Sequence, residues 1–228
     1  MAEHVKSTRR YDSPRRREQA AATRRAILEA AQARFERDGY APTSMAAIAR
    51  AAGVATKTVY LAFETKPALL RAVWNRCLRG DEEDVPVPMR EWYQEVVREP
   101  DPARRLRLNA RNVTAVRGRI ARIREVIRTA APGEPEIQAL WDRIQREFYD
   151  NQRKVLEGID ARALRAGRDL DRSADVLYAL NDPATYHLLV HDRGWSPEAY
   201  ERWLGDVLCR ELLRASSAPA DRATSARR

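Results

Sequence analysis

The sequence predicts an all-α fold in two parts, a compact module of short helices followed by a larger domain of longer ones. Three observations carry this. Apolar residues recur at three- and four-residue steps through most of the chain, the helical period. Glycine and proline fall between those runs, where helices stop and restart. No segment alternates apolar and polar residues with the period of two that a half-buried strand requires.

Along the chain, Met1 to Asp12 carries Lys6, Arg9 and Arg10 without apolar periodicity and reads as a flexible basic arm. Ser13-Pro14 offers a cap and a proline for a first helix, whose core-facing residues are Ile27, Leu28, Ala31 and Phe35 and whose end is Gly39. Pro42-Thr43-Ser44 restarts the chain into a short helix with Met45, Ile48, Ala49 and Ala52 inward, stopped at Gly53. A third helix follows at once, with Thr56 as its expected cap and Val59 and Phe63 on its buried side. Thr65 and Pro67 open a fourth, striped by Leu69, Leu70, Val73 and Trp74.

Beyond Gly80, Asp81 to Asp84 and Pro86-Val87-Pro88 read as a linker. A long amphipathic helix runs from Leu106 to Ala130 and ends at Pro132-Gly133. Helices over Ile137 to Ile159, Ser173 to Val190 with a break at Asp182-Pro183, and Pro197 to Leu213 complete the larger domain. The small, polar tail from Ser216 onward reads as disordered. These boundaries give an arm at 1–13, a first domain at 14–64, a connecting helix at 65–79, a second domain at 80–214 and a tail at 215–228.

Charge narrows the function. The 228 residues carry a net charge of +9, and all of the excess lies in the first third: 16 Lys+Arg against 7 Asp+Glu up to Arg79, then 26 against 26. A solubility bias spreads evenly, whereas a polyanion-binding module concentrates its cations where phosphates lie. Cys77 and Cys209 stand apart with no metal-ligand spacing, and the N-terminus lacks the apolar region of a secretory signal, so a reducing cytoplasm is expected. No apolar run reaches bilayer-spanning length, so no membrane partner is expected.

Thr43 to Phe63 reads TSMAAIARAAGVATKTVYLAF, a short helix, a tight turn through Gly53 and a second helix three residues on. That is the spacing of a helix-turn-helix. Small polar side chains at the leading end of its second helix suit entry into the major groove, where base-edge donors and acceptors are exposed. Thr56, Lys57 and Thr58 hold that end, with Tyr60 one turn along to reach a phosphate. Thr43 and Ser44, at the start of the preceding helix, are placed to donate to another phosphate. A plain helical hairpin has the same local pattern; the charge asymmetry argues against it.

From about Arg24 to Leu70 the chain resembles the N-terminal domain of the TetR family of repressors. The likeness lies in Phe35…Gly39-Tyr40, Thr43, Ile48-Ala49…Ala52-Gly53-Val54, Thr58-Val59-Tyr60, Phe63, Lys66 and Leu69. It implies a three-helix DNA-binding domain joined to a helical ligand-binding and dimerisation domain. Tyr60 and Lys66 are then expected on phosphates, and Thr56, Lys57 and Thr58 on base edges. Ala62 departs from the histidine many members have there, so a contact sometimes made at that place is missing. Leu177-Tyr178-Ala179-Leu180, Tyr186-x-x-Leu189 and Arg193-Gly194-Trp195-Ser196-Pro197 resemble a subgroup more loosely. The resemblance implies a homodimer built from the last two long helices, with Leu177, Leu189, Trp203, Val207 and Leu208 as interface candidates. The expected partners are a near-palindromic duplex operator, a second copy of the chain and a small-molecule inducer.

Other features admit two readings each. Trp92, Tyr93, Trp141 and Phe148, with Tyr149, Tyr178 and Tyr186, are candidates to line a ligand cavity, though each also suits the core. Arg104 to Arg128 holds nine arginines and one acid, mostly off the apolar stripe, and reads as a solvated face. His187 and His191 stand four apart, but with no HExxH and no third ligand they read as interface or surface histidines; neither a metal nor a cofactor is expected. An all-helical enzyme or small-molecule-binding protein with a basic N-terminal module is the alternative. No Gly-rich phosphate loop, GxSxG or acid/base pair supports catalysis, so no catalytic residue is assigned.

Overall fold

The computed structural model describes residues 14–81, 83, 85–167 and 169–214. The basic arm and the C-terminal tail read from the sequence lie outside them. The described residues form α1 (Pro14–Asp38), α2 (Met45–Ala51), α3 (Thr56–Phe63), α4 (Lys66–Arg79), α5 (Glu91–Arg98), α6 (Pro102–Ala130), α7 (Pro135–Glu157), α8 (Leu170–Leu180), α9 (Pro183–Tyr186) and α10 (Pro197–Leu212). Among them the only β pairing is an isolated bridge between Leu164 and Leu213. The all-α expectation holds.

The chain divides into two compact units that do not follow its order. One comprises residues 14–75 with Arg122–Gln138, the other Arg76–Ala121 with residues 139–214. The first unit therefore recruits the end of α6 and the start of α7, which the sequence-based boundaries assign to the second domain. Helices α4, α6 and α7 each supply residues to both units.

Helix ends follow the punctuation in most places. Gly39 has a φ of 83° and donates its N–H to Phe35 O at 2.9 Å, closing α1 as a left-handed glycine does. Ser44 Oγ caps α2 by accepting from Ala47 N, Thr65 Oγ1 caps α4 by accepting from Ala68 N, and Ser196 Oγ caps α10 by accepting from Ala199 N. Asp182 accepts from Ala184 N at 2.7 Å and Pro183 opens α9, so the expected break between α8 and α9 is present. Thr56 is a correction. It is the first residue of α3, and Ala55 holds the cap position without a side-chain bond. Helix α5 follows the linker, over residues to which the sequence reading assigns no element.

In the second unit, one core gathers Leu106, Ala110 and Val113 of α6, Val155 and Leu156 of α7, Leu177 of α8, and Tyr200, Leu204 and Leu208 of α10. Three α6 arginines are not on a solvated face, contrary to the sequence reading. Arg105 and Arg117 are buried and Arg119 is half-buried. Each donates to carbonyls at the C-terminal end of another helix. Arg105 reaches Glu99 O at 2.7 Å and Val155 O at 3.2 Å. Arg117 reaches Asn181 O at 2.8 Å. Arg119 reaches Cys77 O at 3.1 Å and Leu78 O at 3.3 Å. The last carbonyls of a helix have no partner within it and carry the negative end of its dipole, so a guanidinium there answers both deficits. Burial pushes the Arg105 and Arg119 pKa values down, which measures the desolvation these contacts offset.

Candidate DNA-binding site

The first unit is built to hold α3 with one side inward. Ile27 and Phe35 of α1, Ile48 of α2 and Leu69 of α4 have no exposed surface, and Val59 and Phe63 of α3 are buried with them. The turn between α2 and α3 depends on Gly53, whose φ of 68° a β-carbon disfavours, and Val54 N–H bonds Ala49 O at 3.0 Å. Arg24 of α1 secures the far end of α3: it donates to Ala62 O at 3.0 Å, and its guanidinium lies 4.2 Å from the Phe63 ring centroid. Sequence reasoning missed Arg24, because nothing in its spacing marks which carbonyl it meets.

With α3 so anchored, its other side faces water. Thr56 and Lys57 are exposed, Thr58 is half-buried, and Tyr60 is 50% exposed. The first turn of α3 has no side-chain cap, and helix N-terminal N–H groups left this way are donors suited to phosphate oxygens. Residues 14–75 hold eleven Lys+Arg against five Asp+Glu, so the described part of this unit keeps a cationic excess.

Two of the expected phosphate contacts sit differently. Thr43 is buried and its hydroxyl donates to Gly39 O at 2.7 Å, while its N–H bonds Tyr40 O at 3.2 Å. Both donors are spent inside the fold, so the expectation that Thr43 donates to a phosphate is corrected: it closes the α1–α2 turn. Ser44 is exposed, and because its hydroxyl oxygen accepts from Ala47 N, the hydroxyl proton remains for an outside acceptor. Lys66 Nζ lies 3.1 Å from Tyr40 O and 4.0 Å from the centroid of the Tyr40 ring. It locks the start of α4 onto the turn after α1, and Phe35 stacks on the same tyrosine at 5.9 Å between centroids. Burial, with Glu134 and Glu136 nearby, pushes the Tyr40 hydroxyl up to about 12.

In the second unit the aromatic candidates separate. Tyr93 is a core residue whose hydroxyl donates to Asn151 O at 3.0 Å, with Trp92 edge-on to it at 6.2 Å. Phe148, Tyr149 and Tyr178 form one cluster, with ring centroids 5.2 and 5.7 Å from Tyr178, whose hydroxyl accepts from Gln145. Tyr186 joins a second group, 5.1 Å from Tyr200. Arg117 meets both, lying 4.3 Å over the Phe148 ring and acting electrostatically on Tyr200. Nothing in composition or spacing marks Tyr200 or Asn181. Both are fully buried, and the Tyr200 hydroxyl and Asn181 Oδ1 have no hydrogen-bond partner. Such orphaned polar atoms each cost about 1 to 3 kcal/mol unless something fills their need. Burial pushes the Tyr200 hydroxyl up to about 12.

The interface candidates are also divided. Leu177 and Leu208 are fully enclosed within the unit and Val207 is buried, while Leu189 and Trp203 keep part of their surface. Trp195, edge-on to Trp203 at 6.0 Å, and Leu188 are exposed. His187 and His191 have ring centroids 5.1 Å apart; among the described residues no group of three His, Cys, Asp or Glu is placed to hold a metal. No helix of the described residues is long and apolar enough to cross a membrane.

A basic unit that buries one side of a short helix behind a glycine turn and presents the other has the arrangement of a helix-turn-helix. Residues 27–73 match the model of bacterial regulatory proteins of the tetR family. Solved structures share the fold over more than four-fifths of the chain. The NalD repressor of the MexAB-OprM multidrug efflux pump of Pseudomonas aeruginosa is 24% identical over 86% of this chain and 98% of its own, with a TM-score of 0.64. FadR of Bacillus subtilis in complex with stearoyl-CoA is 18% identical over 81% and 97%, with a TM-score of 0.64. The SmeT–triclosan complex is 20% identical over 85% and 92%, with a TM-score of 0.65. No curated protein matches by sequence.

Proposed function

We propose that this protein is a transcriptional repressor that binds a near-palindromic operator as a homodimer in the cytoplasm and is released by a small molecule. The observation that carries this reading is the tetR-family segment itself, with α3 held by Val59 and Phe63 and its outer side free. Two copies of α3 enter successive major grooves about 34 to 36 Å apart. Thr56, Lys57 and Thr58 meet base edges. Tyr60, Ser44 and the proton of Lys66 left after its bonds to Tyr40 O and Ala41 O meet phosphates, which set register and supply salt-dependent affinity.

The second unit holds the effector. Tyr200 and Asn181 supply its polar contacts, and the aromatic clusters around Arg117 its apolar ones. NalD regulates an efflux pump, and the FadR and SmeT structures hold stearoyl-CoA and triclosan, molecules with large apolar parts. Dimerisation falls to α8, α10 and the segment between them, through the partly exposed Leu189 and Trp203, which pack on the core that holds Leu177 and Leu208, and through the exposed Trp195. The protein acts by binding and carries out no reaction. Helix α4 runs unbroken from Lys66 to Arg79, so a ligand that favours one setting of this helix shifts operator affinity by its differential affinity for the two states.

The test is an operator titration with and without a ligand found by thermal-shift screening. Weaker DNA binding at saturation is expected, and unchanged affinity contradicts release. Lys66→Ala is expected to weaken all duplexes alike, whereas Lys57→Ala also relaxes base preference, by about 1 to 3 kcal/mol at the position it reads.

A further inference from the structure

Leu61 is the most exposed of the large apolar side chains among the described residues, at 76%, and it sits on α3. At about 100° of rotation per residue, its direction lies roughly 180° from the midpoint of Val59 and Phe63, the two buried residues that set the inner side. Leu61 thus occupies the centre of the outer side, one turn beyond Lys57 and Thr58 and next to Tyr60. Burial of α3 cannot explain a leucine there, and neither can its solubility.

On a helix that enters the major groove, this place faces base pairs. Leucine has neither donor nor acceptor. The largest apolar feature of the base edges in that groove is the C5-methyl group of thymine; apart from the small C5–H of cytosine, the remaining positions present N7, O6, O4 and amino groups that want hydrogen bonds. Leucine against a methyl removes two apolar surfaces from water, whereas leucine against those polar atoms strips their water and returns nothing. The residue therefore both favours thymine and disfavours the other bases at one position. From this geometry we infer that Leu61 reads the C5-methyl of one thymine in each half-site, a specificity determinant that rests on the regulator reading above.

The experiment replaces each thymine of an operator, selected from a random duplex pool, with deoxyuridine, which lacks only the methyl. Affinity is measured by anisotropy for the full-length protein and for Leu61→Ala. Loss of one buried methyl is worth about fourfold in affinity, or about fifteenfold when both half-sites are changed. One symmetry-related pair of positions is expected to show this loss with the natural protein and none with Leu61→Ala. Because Leu61 is exposed, its truncation leaves the fold intact, which a thermal melt checks. If every deoxyuridine position is tolerated equally, or the sensitive pair stays sensitive in Leu61→Ala, the assignment to Leu61 is overturned while the regulator reading stands. If no duplex is bound at all, both fall.

Discussion

Gly158, directly after α7, is the most sensitive place in the second unit for a single methyl group. A β-carbon there would collide with Arg105 Nη1 and lie 2.8 Å from Nη2. Arginine ends usually swing aside cheaply, but this one is only 4% exposed. It is held by Glu99 O at 2.7 Å and Val155 O at 3.2 Å, and moving it strips a buried cation of those acceptors. Hydrogen bonds to a charged group contribute about 1.5 to 3 kcal/mol each. Against this, alanine is favoured over glycine at a helix end by at most about 1 kcal/mol. The clash wins, and Gly158→Ala is expected to destabilise by about 2 to 4 kcal/mol, a fall of roughly 5 to 15 °C in Tm. A thermal melt measures it, and the Arg105→Ala background isolates the cause: there Gly158→Ala is expected to cost less than about 0.5 kcal/mol. Equal cost in both backgrounds, or no cost in the natural protein, refutes the reasoning.

Thr43→Val removes the bond to Gly39 O and is expected to cost about 1 to 2 kcal/mol in denaturant titrations, with the salt slope of DNA binding unchanged; a reduced slope would return Thr43 to the phosphates. Glu64 follows α3 with a φ of 57°, and the N–H of Thr65 turns back to Phe63 O. Glu64→Gly relieves about 1 to 3 kcal/mol of backbone strain and loses about 0.5 to 1 to chain entropy, so a gain near 1 kcal/mol is expected in the same titrations. Tyr200 and Tyr40 have hydroxyls held near 12 in the fold against 10 unfolded, so the unfolded chain releases their protons first. Their contribution is complete below pH 10 and is lost as pH rises towards 12; Tyr200→Phe is expected to flatten that decline in urea midpoints measured across this range.

The helices of the first unit were legible because glycine, serine and proline mark their ends in the sequence, and the apolar steps at Ile27 to Phe35 and at Val59 and Phe63 leave one orientation for each. The exposed leading end of α3 followed from the same pattern. Helix α5 was hidden, since eight residues behind Pro86 and Pro88 are too short for periodicity to separate helix from linker. Arg105, Arg117 and Arg119 show a deeper limit. An arginine beside an apolar stripe faces water or a neighbouring helix end, and which of these it meets is decided largely by packing from Val155, Asn181 and Cys77, far away in sequence. Thr43 failed for the same reason: a hydroxyl near a helix start serves whichever acceptor the tertiary turn supplies, here Gly39 O. The orphaned atoms of Tyr200 and Asn181 have no counterpart in composition or spacing.

Selection of bound duplexes from a random-sequence pool by the full-length protein tests the central claim most directly. A two-fold symmetric site is expected, with half-sites separated by about one turn of the double helix. Recovery of an asymmetric site, or no enrichment over the starting pool, would contradict the placement of paired α3 helices in DNA.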